Sequence, residues 1–160
     1  VIKKMDTQNI LVLFAGDTKN SSYTNLVKDK IYQNNLTSIC KILGSVNQNE
    51  IRSLYQIADL SVSFPLRAEG FGRTISESLY SNTPVLAFDY GGIKNQLENL
   101  SDLFKVKPHD YQALPSKIEA ILSLTENLKK EVLQEAKLVI DKNFSKTNML
   151  NKYLKLYESV

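Results

Sequence analysis

The sequence predicts an α/β fold in which a doubly wound parallel sheet carries helices on both faces and is followed by a helical C-terminal tail. Short, unbroken apolar runs alternate with segments of helical periodicity, which is the pattern of parallel strands buried on both faces. Several of these runs end in turns that contain glycine. From Asp110 onward the apolar spacing is helical throughout.

The elements follow one another in a regular order. Strands are predicted over residues 10–15, 37–43, 59–65, 84–89 and 103–106. Residues 1–9 have the pattern of the end of a helix, and further helices are predicted over residues 22–34, 50–58, 91–99, 111–124, 126–141 and 146–158, with another that begins near residue 73. The expected N-caps are Ser21 or Ser22, then Asn49, and then Asp110.

Composition limits the class of protein. The 160 residues suit one domain, and the net charge of +3 is spread along the chain, so nucleic acid is not an expected partner. No run is long and apolar enough to cross a membrane, and no signal-peptide pattern occurs, so we expect a cytoplasmic protein, with peripheral contact to the inner membrane left open. The single cysteine, Cys40, is expected to be a core residue, and His109 a surface turn residue.

Residues 68–82, AEGFGRTISESLYSN, carry the chemistry. A turn with Gly70 and Gly72 opens into a helix near Arg73, between two predicted strands. Glycines let the backbone approach a ligand, and a helix start offers unpaired N–H groups and the positive end of the helix dipole. With the guanidinium of Arg73, this arrangement suits a phosphate.

Two carboxylates frame the turn. Glu69 precedes it, and Glu77 lies about 6 Å along the helix axis from its start, with its side chain leaning back toward the turn. A nucleoside diphosphate sugar has a matching layout, with a diphosphate between a ribose diol and a sugar. The alternatives are a tight turn without a ligand, and a Glu77 that faces solvent or pairs with Thr74 in a capping box.

The spacing Glu69-x7-Glu77, followed by NTPVLAFDYGG, resembles the signature of retaining glycosyltransferases of family four, also called group one. The resemblance runs from LVLFAGD to the final helix. It implies that residues 1–160 form a single Rossmann-like, donor-binding, C-terminal domain of a two-domain GT-B enzyme, truncated at its N-terminus. The implied activity is transfer of a hexose from a nucleoside diphosphate sugar to a glycan or lipid-linked acceptor, as in polysaccharide biosynthesis.

The resemblance also implies roles for individual residues. Glu69 would contact the donor sugar and Arg73 the diphosphate as catalytic groups, while Glu77 would hold the ribose hydroxyls. Ser45 and Val46 would lie near the nucleobase. The remaining donor-binding residues would be Gly16, Gly70, Phe71, Gly72, Thr74, Gly91 and Gly92. No metal and no cofactor other than the nucleotide sugar is implied.

The chain departs from the family pattern in two places. Asn95 stands where the family has an acidic residue after its glycine pair. The GR…KG segment that supplies an Arg/Lys pair to the diphosphate is absent, as is the N-terminal acceptor domain, so we expect the isolated chain to be inactive. The helix at 146–160 would pack on that domain, and without it we expect an exposed apolar patch or self-association.

Two other functions compete with transfer. A lone domain could hold a nucleotide sugar or a partner chain without catalysis. An unrelated NAD-binding domain is disfavoured, because no glycine fingerprint follows the first strand. Gly70-x-Gly72 is not such a fingerprint either, because no third glycine follows it at the required spacing.

Overall fold

The computed structural model describes residues 2, 5 and 9–159, and the side chain of residue 21 is not among those described. The chain divides into two compact units, Val1–Leu54 and Tyr55–Val160. The helical end predicted within residues 1–9 lies almost entirely outside the described residues.

The first unit is built on a two-stranded parallel sheet. Strand β1 (Val12–Ala15) is followed by helix α1 (Ser21–Gln33) and strand β2 (Cys40–Gly44), with Val12 opposite Cys40. Cys40 is the one buried side chain in the described part of this unit, and burial raises the pKa of its thiol. Its predicted role as a core residue is confirmed. Leu13 and Phe14 stay more than a third exposed, so β1 is less covered than its apolar sequence predicts.

The helices of this region begin with asparagine caps. The side chain of Asn20 accepts a hydrogen bond from the Tyr23 N–H at 3.1 Å, so the predicted serine cap of α1 is wrong. Helix α2 (Gln48–Ile57) is capped by Asn47, whose side chain accepts from the Glu50 N–H while Glu50 accepts from the Asn47 N–H. This reciprocal capping box displaces the cap predicted at Asn49.

The second unit is built on a three-stranded parallel sheet in the order β3-β4-β5. Its elements are β3 (Ser61–Ser63), α3 (Arg73–Tyr80), β4 (Val85–Phe88), α4 (Gly92–Leu97), a 3₁₀ turn (Asp102–Phe104) and β5 (Lys105–Val106). Strand β4 is central and fully buried, whereas β3 is short and leaves Val62 52 % exposed at the sheet edge. Burial of the strand predicted at 59–65 is therefore only partial.

Strand β4 feeds two hydrophobic cores, one on each face of the sheet. Its side chains alternate between the faces, as in any strand. Val85 and Ala87 join the core formed with α3, α4 and α6 (Glu126–Phe144). Leu86 and Phe88 join the core formed with α5 (Leu114–Leu122). Helices therefore cover both faces of this sheet, and the predicted doubly wound parallel architecture is confirmed.

Helix α6 holds α3 in place through polar contacts as well as packing. The Tyr80 hydroxyl donates to the Asp141 carboxylate, and Lys137 donates to the side chain of Asn82 just beyond the end of α3. The hydrogen bond to Asp141, with burial and the Asp141 charge, raises the pKa of Tyr80 to about 12. These contacts fix the C-terminal end of α3 and hence the direction of its axis.

Helix α5 begins three residues later than predicted, because Asp110 caps the turn before it. The Asp110 carboxylate accepts from the Ala113 N–H at 3.2 Å, so Asp110 is not the N-cap of α5. Pro115 lies in the first turn of the helix, where its missing N–H sacrifices no hydrogen bond.

Helix α7 (Lys146–Glu158) has the predicted bounds and buries none of its side chains. Ser145 caps it by accepting from the Asn148 N–H at 3.2 Å. Its apolar residues are all about half exposed or more: Met149, Leu150, Tyr153, Leu154, Leu156 and Tyr157. The apolar patch expected here is therefore present. No helix in the described part of the chain is long and apolar enough to cross a membrane.

We expect this exposed face of α7 to drive self-association of the isolated chain, because pairing would remove its apolar surface from water. Light scattering should give a mass above 18.1 kDa that falls toward that value in the double variant Tyr153→Lys, Tyr157→Lys. Lys152→Glu on the same helix is a control for charge alone. A wild-type chain that stays monomeric at high concentration contradicts the expectation.

Candidate functional site

The turn at residues 69–72 connects β3 to α3 and depends on Gly72. This residue has φ +74°, a left-handed conformation that glycine adopts without strain, and it is the N-cap of α3. A Cβ atom on Gly72 would lie 2.4 Å from Cγ1 of Ile93. The predicted start of the helix at Arg73 is confirmed.

The start of α3 presents backbone N–H groups that lack acceptors. Ile75 donates to the Gly72 carbonyl at 3.1 Å, but the N–H groups of Gly72, Arg73 and Thr74 have no acceptor within the described chain. The turn itself is exposed to solvent at Glu69 and Gly70. N–H groups of this kind at the positive end of a helix dipole can bind an anion.

The glycine pair after β4 packs directly against this turn. The Gly92 N–H donates to the Glu69 carbonyl at 2.7 Å. A Cβ on Gly92 would lie 1.7 Å from the Gly70 carbonyl oxygen, and one on Gly91, which has φ +60°, would lie 2.9 Å from the Glu69 carbonyl oxygen. The structure thus brings together two glycine turns that lie about twenty residues apart in the sequence.

Arg73 and Glu77 lie one helical turn apart on the exposed side of α3. The Arg73 Nε is 3.5 Å from the Glu77 Oε1, and their side chains are 77 % and 36 % exposed. An ion pair this exposed contributes little to stability, so the guanidinium can turn toward a bound anion at small cost. Arg73 and Glu77, two of the three charged groups predicted for the site, are therefore accessible to a ligand.

Tyr55, on α2, is a further member of this group of residues, and its sequence pattern indicates no role here. Its side chain is buried, and burial first, then the charge of Glu77 and a side-chain hydrogen bond to Glu77, raise the pKa of Tyr55 to about 12, with Arg73 acting in the opposite direction. The phenol therefore stays protonated and can donate to Glu77. The helical pattern predicted over residues 50–58 gives no signal for the Tyr55 hydroxyl.

Thr74 and Phe71 are engaged within the second unit. The Thr74 hydroxyl donates to the Ser63 hydroxyl at 3.4 Å, at the end of β3. The ring of Phe71 meets that of Phe144 edge-on with centroids 5.6 Å apart, which holds the turn against the end of α6. Asn95 is exposed on α4.

The predicted residues of the first unit lie at the carboxyl ends of β1 and β2. The Gly16 N–H donates to the Gly44 carbonyl at 2.9 Å, which joins the turn after β1 to the turn that contains Ser45 and Val46. Near them lies an open pocket of about 350 Å³, lined by Thr18, Thr24, Asn25, Lys28, Ile42, Leu43 and Gly44. Gly16, Ser45 and Val46 do not line it.

The single cysteine and the single histidine of the chain lie in different units. Cys40 is buried in the first unit, and His109 is exposed in a turn of the second unit, with φ +62°. Among the described residues, no group of His, Cys, Asp and Glu is arranged to hold a metal ion.

Residues 1–139 match the family model "Glycosyl transferases group 1". The chain belongs to this glycosyltransferase family. The resemblance inferred from Glu69-x7-Glu77 and the segment that follows it is confirmed.

Individual proteins show the same relationship. The chain is 34 % identical over 121 residues to a trehalose synthase of Thermococcus litoralis, a match that covers 73 % of this chain and 27 % of that protein. A glycosyltransferase structure from Rickettsia africae superposes with a TM-score of 0.86 at 31 % identity, over 99 % of this chain and 42 % of that one. HepE of Anabaena, solved with UDP-glucose, shares the fold at 20 % identity, with a TM-score of 0.84 over 99 % of this chain and 43 % of that one. The matches thus cover between about a quarter and a half of the length of these three proteins.

The contact between the two glycine turns yields a stability prediction. Gly92→Ala should lower the free energy of unfolding by about 2 kcal/mol, because backbone atoms must move to admit the new methyl group. Gly70→Ala is the matched control, since its Cβ would have no atom within 4 Å. Thermal and urea unfolding would check both variants, and equal stability of the two would show that the turns are not packed as described.

Proposed function

We propose that this chain is the donor-binding part of a retaining glycosyltransferase that moves a sugar from a nucleoside diphosphate to a glycan or lipid-linked acceptor. The observation that carries the proposal is the set of three N–H groups at the start of α3, beside the exposed guanidinium of Arg73. Backbone donors and a guanidinium fork together match the oxygens of a diphosphate.

The two carboxylates are suited to bind the hydroxyl groups on either side of the diphosphate. Carboxylate oxygens accept hydrogen bonds from hydroxyls. We assign Glu69, exposed before the turn, to the hydroxyls of the donor sugar, and Glu77 to the ribose diol. Tyr55 would limit the orientations of the Glu77 carboxylate by donating to it from the protein interior.

The chemistry assigned to these residues is stabilisation of the leaving group. The bond between the anomeric carbon and the diphosphate oxygen breaks, the acceptor oxygen bonds to that carbon from the same face, and the acceptor proton passes to the departing phosphate. Arg73 and the N–H groups of α3 would then stabilise the charge on the diphosphate, which is the part of the barrier that fixed donors lower most.

The comparisons support this proposal in outline. HepE was solved with UDP-glucose, and the relative from Thermococcus litoralis is named trehalose synthase. Because the relative and the structure named above are about two to three times as long as this chain, we propose that acceptor binding and transfer need residues beyond it, as in the expected N-terminal domain. UDP is a suitable first probe, with GDP and ADP as alternatives.

Arg73→Ala should weaken binding of a nucleoside diphosphate at least about tenfold and leave the nucleoside nearly unaffected, because the guanidinium meets phosphate and not base. Calorimetry with UDP, GDP or ADP and the corresponding nucleoside would measure this. Lys130→Ala, which removes the same charge from an exposed position on α6, is the control. Equal losses for both ligands would argue against a phosphate contact.

Glu77→Gln should weaken a nucleoside diphosphate less than Glu77→Ala does, because an amide oxygen still accepts one hydroxyl hydrogen bond. The wild-type preference for the ribo over the 2′-deoxyribo form should shrink in both variants. Competition binding with matched UDP and dUDP, or their guanine counterparts, measures the preference. A wild type that binds the two forms alike would exclude Glu77 as the ribose ligand.

A further inference from the structure

Gln96, on α4, is a fully buried polar side chain that the sequence analysis did not single out. Burying an amide is unfavourable unless its hydrogen bonds are made within the protein. Within the described chain, no buried side-chain nitrogen or oxygen lacks a partner, so this amide is satisfied.

All three hydrogen-bond partners of Gln96 belong either to the loop at residues 69–72 or to the first helical turn of α3. Its Nε2 donates to the Phe71 carbonyl and, at 2.9 Å, to the Gly72 carbonyl. Its Oε1 accepts from the Ser76 hydroxyl at 2.5 Å. One side chain therefore holds two consecutive carbonyls of the turn and is itself held by α3.

The geometry of the peptide bond lets this contact set the direction of two N–H groups. In a planar trans peptide the C=O and N–H bonds point in opposite directions, and the described chain has no cis peptide. The Phe71 carbonyl belongs to the same peptide as the Gly72 N–H, and the Gly72 carbonyl to the same peptide as the Arg73 N–H. Because Gln96 holds both carbonyls inward, both N–H groups point away from α4.

The same helix fixes the turn a second time. The Gly92 N–H, at the start of α4, donates to the Glu69 carbonyl at 2.7 Å. Three of the four turn carbonyls are thus bonded to α4, two of them by the side chain of Gln96. The N–H groups of Gly72 and Arg73 that lack acceptors are those of the two peptides Gln96 controls.

We propose that Gln96 is a positioning residue that orients the Gly72 and Arg73 N–H groups toward the diphosphate before it binds. The proposal rests on the proposed donor-binding function. Preorganised donors bind an anion more tightly because no ordering cost is left to binding. Gln96 does not touch the ligand and acts only through the turn.

The test uses Gln96→Met, which keeps the side chain's length and removes its hydrogen bonds. With ¹⁵N-labelled protein, the Gly72 and Arg73 amide signals should shift and gain fast motion before any ligand is added. Affinity for inorganic pyrophosphate and for UDP should fall about tenfold, the scale of a lost pair of hydrogen bonds. Gln134→Met, at an exposed position on α6, is the matched control and should change neither the two amide signals nor the affinities.

Ser76→Ala is a milder variant that tests the same proposal if Gln96→Met is too unstable to fold. It removes only the hydroxyl that holds the Gln96 amide, so we expect about a threefold loss of affinity, roughly one weak hydrogen bond. A purely structural role would lower the melting temperature and leave the two amide signals and the affinity of the folded protein unchanged.

The outcomes separate this proposal from the function it rests on. Wild-type protein that binds pyrophosphate and UDP, with unchanged affinity and amide signals in Gln96→Met, overturns the positioning role alone. Wild-type protein that binds neither pyrophosphate nor UDP, GDP or ADP overturns the proposed function and this role with it. Weaker binding with altered Gly72 and Arg73 signals supports both.

Discussion

The direct contact between two stretches of backbone, the turn at 69–72 and the start of α4, is the constraint on which the site depends. Such an approach is possible only because Gly92 has no Cβ, which would otherwise lie 1.7 Å from the Gly70 carbonyl oxygen. Because these two backbone segments lie so close together, the Gly92 N–H reaches the Glu69 carbonyl, and Gln96 reaches the carbonyls of Phe71 and Gly72. The bonded carbonyls of the turn point toward α4, and the N–H groups of Gly72 and Arg73 point away from it.

The charges of the site are placed on that frame by helix geometry. Arg73 and Glu77 are four residues apart on α3, so they lie on the same side of the helix, near its positive end. Beneath them, β4 is buried on both faces and gives α3 a fixed support. The exposed ion pair between them is weak in water. Each side chain can therefore give up this contact and bind a ligand instead. Rigid backbone donors and mobile charged side chains thus share one surface.

The parts that were predictable from sequence are those decided by local pattern. The bounds of α7 follow from periodicity, and the start of α3 follows from the glycine turn before it. Glu69, Arg73 and Glu77 were proposed from a motif with fixed spacing. Gln96 was not predictable, because its role depends on carbonyls some twenty-five residues away. The same holds for the Tyr55 hydroxyl, which a helical pattern counts only as apolar. Tertiary contacts determine the roles of both side chains.

The unequal burial in the two units affects how local structure opens. In the second unit, β4 lies between two cores, and its amide hydrogens can exchange with solvent only when much of that packing is lost. In the first unit, Cys40 is the one buried side chain among the described residues, so the β1–β2 pair can separate with little loss of buried apolar area. Hydrogen exchange should therefore be fast around Gly16 and Ser45 and slow along β4. The unit expected near the nucleobase is thus the one whose order a bound ligand can change most.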